Sequence, residues 1–342
     1  MTIRAAFYTG RKTFTIEPRE PAPPAAGEVR LRVAYVGICG TDMHVFHGNM
    51  DARVGHHRVI GHEMSGTVES VGAGVEGFAP GDRVVVRPLD HCGRCPACRA
   101  GHTHICHRLK FLGLDTDGAL QELWSVPAHT LHKLPEGMDL ETAAMIEPLA
   151  VAVHDVRRAR LQVGETALVI GGGPIGMLIA MVAQRAGARV LLSEINASRL
   201  ALAASMGFTG LNPKEADVAA RVAEITGDRG ADVVFEVSGT QGGVDLMTAA
   251  AATRGRVCMV AIHAKPATVD LFRFFWRELE MVGARVYEAE DYDRAIALIA
   301  EGLPVERLIT DRHPLAEVQR AFESLEGNAT AMKTLIRVGE PA

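Results

Sequence analysis

The sequence predicts an α/β protein in which a β-rich region precedes a doubly wound parallel sheet. Three observations carry that expectation. Residues 1 to about 150 hold short Val-heavy runs separated by Gly and Pro. After Pro148, apolar runs of strand length alternate with segments of helical spacing. A glycine-rich turn joins the first of those strands to a helix. Strands alternating with helices indicate βαβ units and a parallel sheet, whereas short alternating strands bounded by turn residues indicate antiparallel structure.

In chain order, Val29–Val36, Met64–Val71 and Asp82–Val86 alternate apolar and polar residues as strands do. Pro18, Pro21, Pro23, Pro24 and Gly27 form a turn-rich connector before them. Leu149–Ala159 has helical spacing. Strands follow at Ala167–Ile170, Arg189–Leu192, Asp232–Val237 and Arg256–Ala261, with helices at Ile175–Arg185 and Arg199–Met206. Asp291–Glu301 and Leu315–Leu325 read as further helices, and Ala331–Val338 as a closing strand that returns to the first domain. The expected boundaries are 1–150, 151–294 and 295–342, with the last segment rejoining the first.

A chain of 342 residues suggests about two domains and buries a full core unaided. With 48% hydrophobic and 23% charged residues it is globular rather than disordered. The net charge of −5 and the absence of a basic run argue against nucleic acid. The longest apolar stretch, Ala167–Ala183, is broken by Gly-Gly-Gly-Pro and reads as strand, turn and helix, so no membrane partner is expected. The first residues lack the apolar core of an export signal, which points to a reducing, cytoplasmic compartment. There, clustered cysteines indicate metal before disulfide.

Gly171-Gly172-Gly173-Pro174-Ile175-Gly176 is G-x-G-x-x-G between a strand and a helix. The first glycine permits the tight turn, the second lets a pyrophosphate approach the backbone, and the third allows close helix–strand packing. Glu194 falls 18 residues after Gly176, past the second strand, where an acid accepts hydrogen bonds from the ribose hydroxyls. An acid there repels the 2′-phosphate of NADP, so the expected cofactor is NAD. Arg199 nearby would favour that phosphate but is expected to lie beside the adenine.

Cys92, Cys95, Cys98 and Cys106 have the spacing of four thiolates around one structural Zn²⁺, which leaves no open position for chemistry. His91, His102, His104 and His107 around them are expected at the surface, and Cys258 as a small buried apolar residue. Cys39, the pair His62-Glu63, and Glu147 offer a mixed sulfur, nitrogen and oxygen set. Three such ligands leave a zinc with one open position. One thiolate and one carboxylate would make that centre formally neutral. His56 and His57, just before the pair, read as a polar loop. Phe46, Phe111, Trp276 and Arg285 are candidates for a pocket wall.

The segments Gly37-Ile38-Cys39-Gly40-Thr41-Asp42 with His44, Gly61-His62-Glu63, Gly81-Asp82-Arg83-Val84, the four cysteines, Glu147-Pro148-Leu149-Ala150 and the glycine turn occur in one order. In that order they resemble the zinc-dependent medium-chain dehydrogenase/reductase family of alcohol and polyol dehydrogenases, over essentially the whole chain. The resemblance implies a GroES-like β domain flanking a Rossmann domain. It implies catalytic zinc on Cys39, His62 and Glu63, with Glu147 either ligating the ion or holding its water, and two zinc ions per chain. It implies a proton relay through Thr41 and His44, and cofactor contacts from Gly171, Gly173, Ile175, Gly176, Glu194 and Arg199. The expected reaction is NAD(P)-linked oxidation of a secondary alcohol or polyol to a ketone, by a homodimer or homotetramer. L-threonine oxidation and a non-catalytic NAD-binding relative are the alternatives. Glu147-Pro148 together with Glu63 looks more like the polyol, sorbitol and butanediol branch than the ethanol-oxidising one.

Overall fold

The computed structural model describes residues 2–339 apart from Ala329. The chain divides into two compact units, Met1–Glu147 with Glu288–Ala342, and Pro148–Tyr287.

The first unit is built on a seven-stranded sheet. Its main path runs Leu131–Lys133, Arg83–Val86, Glu63–Val71, Glu28–Gly37, Lys333–Arg337, Ile309–Pro314, and Leu123–Pro127 also pairs with Glu28–Gly37. A second sheet joins Ile3–Gly10 to Thr13–Arg19 and Arg58–Val59. The central strand Glu28–Gly37 buries alternate residues, Val29, Leu31 and Val33, as the sequence pattern requires. The closing strand is Lys333–Arg337, which pairs antiparallel with Glu28–Gly37 through Leu335 opposite Gly37.

This β-rich region also carries a helix at Gly40–Phe46 that the strand pattern does not indicate. Gly, Thr and Asp are weak helix formers, so periodicity does not reveal it. Its start is fixed by capping instead. The Cys39 sulfur accepts from the Thr41 N–H at 3.5 Å, and the Asp42 carboxylate accepts from the Cys39 N–H at 2.9 Å. The expected helix Leu315–Leu325 is a 3₁₀ turn, Leu315–Glu317, followed by Val318–Leu325.

The second unit carries six parallel strands in the order Thr209–Leu211, Arg189–Ser193, Thr166–Ile170, Ala231–Glu236, Ala251–Met259, Glu280–Gly283. In sequence this is third, second, first, fourth, fifth, sixth, the order of the doubly wound dinucleotide-binding fold. Every residue of Thr166–Ile170 is buried, which explains its unbroken apolar run. Leu168, Leu191, Val234 and Val257 of the sheet pack with Val222, Val244 and Met247 of the covering helices. Ligands bind such sheets beyond the carboxyl ends of the strands, where the strand order reverses. The glycine turn stands at that end of the first strand.

Candidate active site

Neighbouring strands of the first unit assemble the mixed ligand set. Cys39 lies two residues beyond the end of Glu28–Gly37, and Glu63 opens the adjacent strand as the register partner of Gly37. A Cβ at Gly37 would stand 2.2 Å from the Glu63 Oε2, so a larger residue there would displace that carboxylate. One ligand atom each from Cys39, His62 and Glu63 falls within 4.8 Å of the others. The bond lengths of a tetrahedral zinc place its donors about 3.3–3.8 Å apart, so these donors fit such an ion. Glu147 is buried in the first turn of helix Ile146–Arg158 and lies outside this three-residue group. That helix starts three residues earlier than its apolar spacing indicates.

Two residues complete the surroundings. Asp42 is buried, with Oδ1 3.4 Å from the His62 Nδ1. A carboxylate behind a histidine fixes the ring and leaves its other nitrogen for a metal. Burial opposes a charge on His62, but Asp42 and Cys39 outweigh it and raise the imidazole well above its ordinary pKa. Lys333 is equally buried, and its ammonium donates to both Glu63 oxygens at 2.8 and 2.6 Å. Burial pulls Lys333 down, while Glu63, Cys39 and Glu147 more than restore its charge. Beside this ligand set Lys333 thus adds one positive charge and Asp42 one negative charge.

Thr41 and His44 stand three residues apart on helix Gly40–Phe46 and share one face. Thr41 is half-buried and His44 is exposed, so a path along this face runs outward to solvent.

The four-cysteine lobe has the geometry of a metal cage. The sulfurs of Cys95 and Cys98 are 3.4 Å apart, Cys95 and Cys106 3.7 Å, and Cys106 and Cys92 3.5 Å. Four 2.3 Å Zn–S bonds put sulfurs about 3.8 Å apart, and all six cysteines of the chain are free of disulfides. The Cys98 N–H pulls the Cys95 thiol down to about 6, while burial and the neighbouring sulfurs push Cys98 up to about 12. Thiols this close cannot all ionise by themselves, and a divalent cation removes that conflict. His104 corrects the surface expectation, being buried with Nδ1 3.4 Å from Glu288.

In the second unit, helix Pro174–Arg185 begins with Gly173 as its N-cap and no capping side chain, so its first N–H groups are open to an anion. A Cβ on Gly176 would stand 1.9 Å from the Gly171 carbonyl oxygen, which is the close packing that the third glycine permits. The Glu194 Oε2 accepts from the Gly172 N–H at 2.8 Å, and its Oε1 from Ile195 and Asn196. The acid is thus held against the glycine turn. Arg199 Nη1 lies 3.7 Å from Glu194, and its Nε is buried without a hydrogen bond. These residues fit a dinucleotide at the turn.

Residues 25–136 match the alcohol dehydrogenase GroES-like domain, and residues 174–301 match the zinc-binding dehydrogenase domain. The chain is 55% identical over 333 residues to 2-dehydro-3-deoxy-L-galactonate 5-dehydrogenase of Pseudoalteromonas atlantica, covering 97% of this chain and 98% of that protein. The chain belongs to the zinc-dependent medium-chain dehydrogenase family. It is 32% identical to the L-galactonate-5-dehydrogenase of Escherichia coli, over 91% of this chain and 92% of that one. The crystal structure of 2R,3R-butanediol dehydrogenase from Bacillus subtilis superposes with a TM-score of 0.91 at 31% identity, covering 98% of this chain and 100% of that one. The chain is accordingly an NAD(P)-linked dehydrogenase of secondary alcohols or polyols, with a GroES-like and a Rossmann domain.

Within this dehydrogenase, the remaining candidates separate. Phe111 sets its ring edge-on to His62, with centroids 5.1 Å apart. Phe46 is core, packed between Phe14 and Phe322, and Trp276 and Arg285 are exposed. His56 is held by Asp51, and His57 is stacked on Phe7 and paired with Glu17. Cys258 is buried, and desolvation raises its thiol pKa. Asp42 and Lys333 escape the sequence reading of the site. Asp42 stands inside the Cys39 segment. The signal for Lys333 is a lone lysine opening an apolar strand.

Proposed function

We propose that the chain oxidises the C5 hydroxyl of a six-carbon sugar acid, 2-dehydro-3-deoxy-L-galactonate or a close stereoisomer, with NAD⁺ as hydride acceptor. The observation that carries the chemistry is the convergence of Cys39, His62 and Glu63 beside the helix that bears Thr41 and His44. The identity with the Pseudoalteromonas protein supports the substrate. Cys39, His62 and Glu63 would hold the catalytic zinc, which when bound acts as a Lewis acid on the substrate oxygen. Cys92, Cys95, Cys98 and Cys106 would hold a second, structural zinc. Glu147 remains near the centre as a base for water rather than a ligand. Thr41 would take the hydroxyl proton and His44 would deliver it to solvent, and a bound nicotinamide would supply the acceptor for the carbinol hydride. Gly171, Gly173, Ile175 and Gly176 would cradle the pyrophosphate, with Glu194 on the ribose hydroxyls and Arg199 beside the adenine. The deciding assay compares 2-dehydro-3-deoxy-L-galactonate, L-galactonate, sorbitol, 2R,3R-butanediol and L-threonine, with NAD⁺ and NADP⁺, by formation of reduced nicotinamide. A higher kcat/KM for sorbitol or threonine than for both sugar acids overturns the substrate.

Glu194→Ala is expected to relax the preference for NAD⁺, because it removes both the ribose acceptor and the repulsion of a 2′-phosphate. A wild-type preference for NADP⁺ in kcat/KM defeats this assignment. His44→Gln is expected to slow oxidation most near neutral pH, with the defect shrinking as pH rises and hydroxide takes the proton directly. The loss stays near or below about 10²-fold, since water can bypass an exposed relay. An unchanged pH profile of kcat, at equal zinc content, places the proton path elsewhere.

We also infer a homo-oligomer. Strand Glu280–Gly283 is an edge of its sheet, and Leu271, Phe272, Phe275 and Trp276 on the nearby helix are exposed with Met281. A second copy supplies both a strand partner and apolar cover, which monomeric proteins rarely forgo. Light scattering that returns the mass of one chain removes this inference. The compartment proposed is the cytoplasm, supported by six free cysteines. Among the described residues no helix is long and apolar enough to cross a membrane.

A further inference from the structure

The Lys333–Glu63 ion pair lies deep in the first unit, with both side chains at most 3% exposed, as are those of Asp42 and His62. Burying two opposite charges is seldom a gain in stability over apolar residues of similar size, so the pair calls for a role other than cohesion. The geometry is saturated on the lysine side. Its three protons meet three acceptors, the two Glu63 oxygens and the Ile38 carbonyl at 3.3 Å. The backbone holds the lysine in place. The Ile38 N–H donates to the Thr334 carbonyl at 3.0 Å, so the start of strand Lys333–Arg337 is stitched to the segment that leads into Cys39. Glu63 meanwhile keeps a carboxylate oxygen within 4.8 Å of the Cys39 sulfur and a His62 nitrogen.

We propose that Lys333 is a positioning residue of the metal centre: it aims the Glu63 carboxylate, so that the three donors are in place before an ion arrives. Asp42 stands behind His62 in a parallel way, so each of two ligands has its own buried charged partner. Partners behind metal ligands typically govern affinity by about 10–100-fold.

This inference rests on the zinc reading of Cys39, His62 and Glu63. It is tested by the zinc dissociation constant of this centre, measured by chelator competition, and by the visible spectrum of the Co²⁺-substituted protein. Lys333→Met is expected to weaken zinc at this centre by about 10–100-fold and to alter the cobalt spectrum, while zinc at the four cysteines is retained. Lys333→Arg, which keeps the charge, is expected to recover most of the affinity. Because Lys333→Met strands a buried carboxylate and risks unfolding, a double-mutant cycle removes both charges. Glu63→Gln and Glu63→Gln/Lys333→Met are expected to bind zinc equally, since the lysine acts only through Glu63. A folded Lys333→Met with wild-type affinity and cobalt spectrum overturns the proposal, as does a further tenfold loss in the double variant. A wild-type chain that takes up zinc only at the four cysteines fails differently, by removing the centre itself.

Discussion

Cys39→Ser is expected to abolish turnover while leaving the fold intact. The serine hydroxyl is not ionised near neutral pH, so the centre loses its only thiolate and the ion with it. The Lewis-acid contribution to such reactions is several kcal/mol, which corresponds to at least about 10³-fold in kcat/KM. The effect on stability should be small, because Cys39 is half-buried and the N–H contact to its sulfur from Thr41 is long, at 3.5 Å. Elemental analysis should fall from two zinc ions per chain to one, with the thermal transition within a few degrees of wild type. Retained activity in a variant shown to hold one zinc would mean that the chemistry lies elsewhere.

Cys98→Ser should have the opposite signature. The lobe that carries the four cysteines has almost no regular structure of its own. Its helical pieces are Pro96–Arg99 and Thr103–Ile105, each too short to persist alone. Its only pairing is the two-residue ladder Leu89–Asp90 with Lys110–Phe111. Metal binding in such a segment is folding free energy, on the order of 10 kcal/mol for a complete site. Losing one of four ligands should therefore cost several kcal/mol, comparable with the whole stability of a domain. The expected results are loss of one zinc, early proteolysis between residues 92 and 106, and a transition lowered by more than about 10 °C. Activity should decline only as the protein unfolds. If Cys39→Ser and Cys98→Ser behave alike in zinc content, stability and rate, the division of labour between the two centres is wrong.

The difference between these variants was legible because the ligand spacing of the lobe is local. C-x₂-C-x₂-C needs no knowledge of the fold, and neither does a glycine turn between an apolar strand and a helix. For the mixed set the residue types only suggest a metal, and the resemblance assigns it, since Cys39 and Glu63 come together through register between two strands. Phe46 and Phe111 show the limit of composition. Both are buried aromatic residues, yet one packs against Phe14 and Phe322 and the other against His62. Helix Gly40–Phe46 was hidden because its caps, rather than its propensities, start it. Lys333 was hidden because its partner lies 270 residues away, a distance no local pattern spans.

That separation has a bearing on how the polypeptide acquires its shape during translation. Pro148–Tyr287 is continuous, so its six strands are complete once that stretch has left the ribosome. The unit around the ligand set must instead wait for Ile309–Pro314 and Lys333–Arg337 to emerge. Until then strand Glu28–Gly37 has an open edge where Lys333–Arg337 will pair, and Glu63 has no ammonium to receive it. Nascent chains expose such edges to one another and to chaperones. Ribosome-arrested chains ending before residue 309 should therefore protect residues 148–287 from protease while leaving residues 28–71 open to cleavage. The last strand to be made is the one that closes the catalytic half.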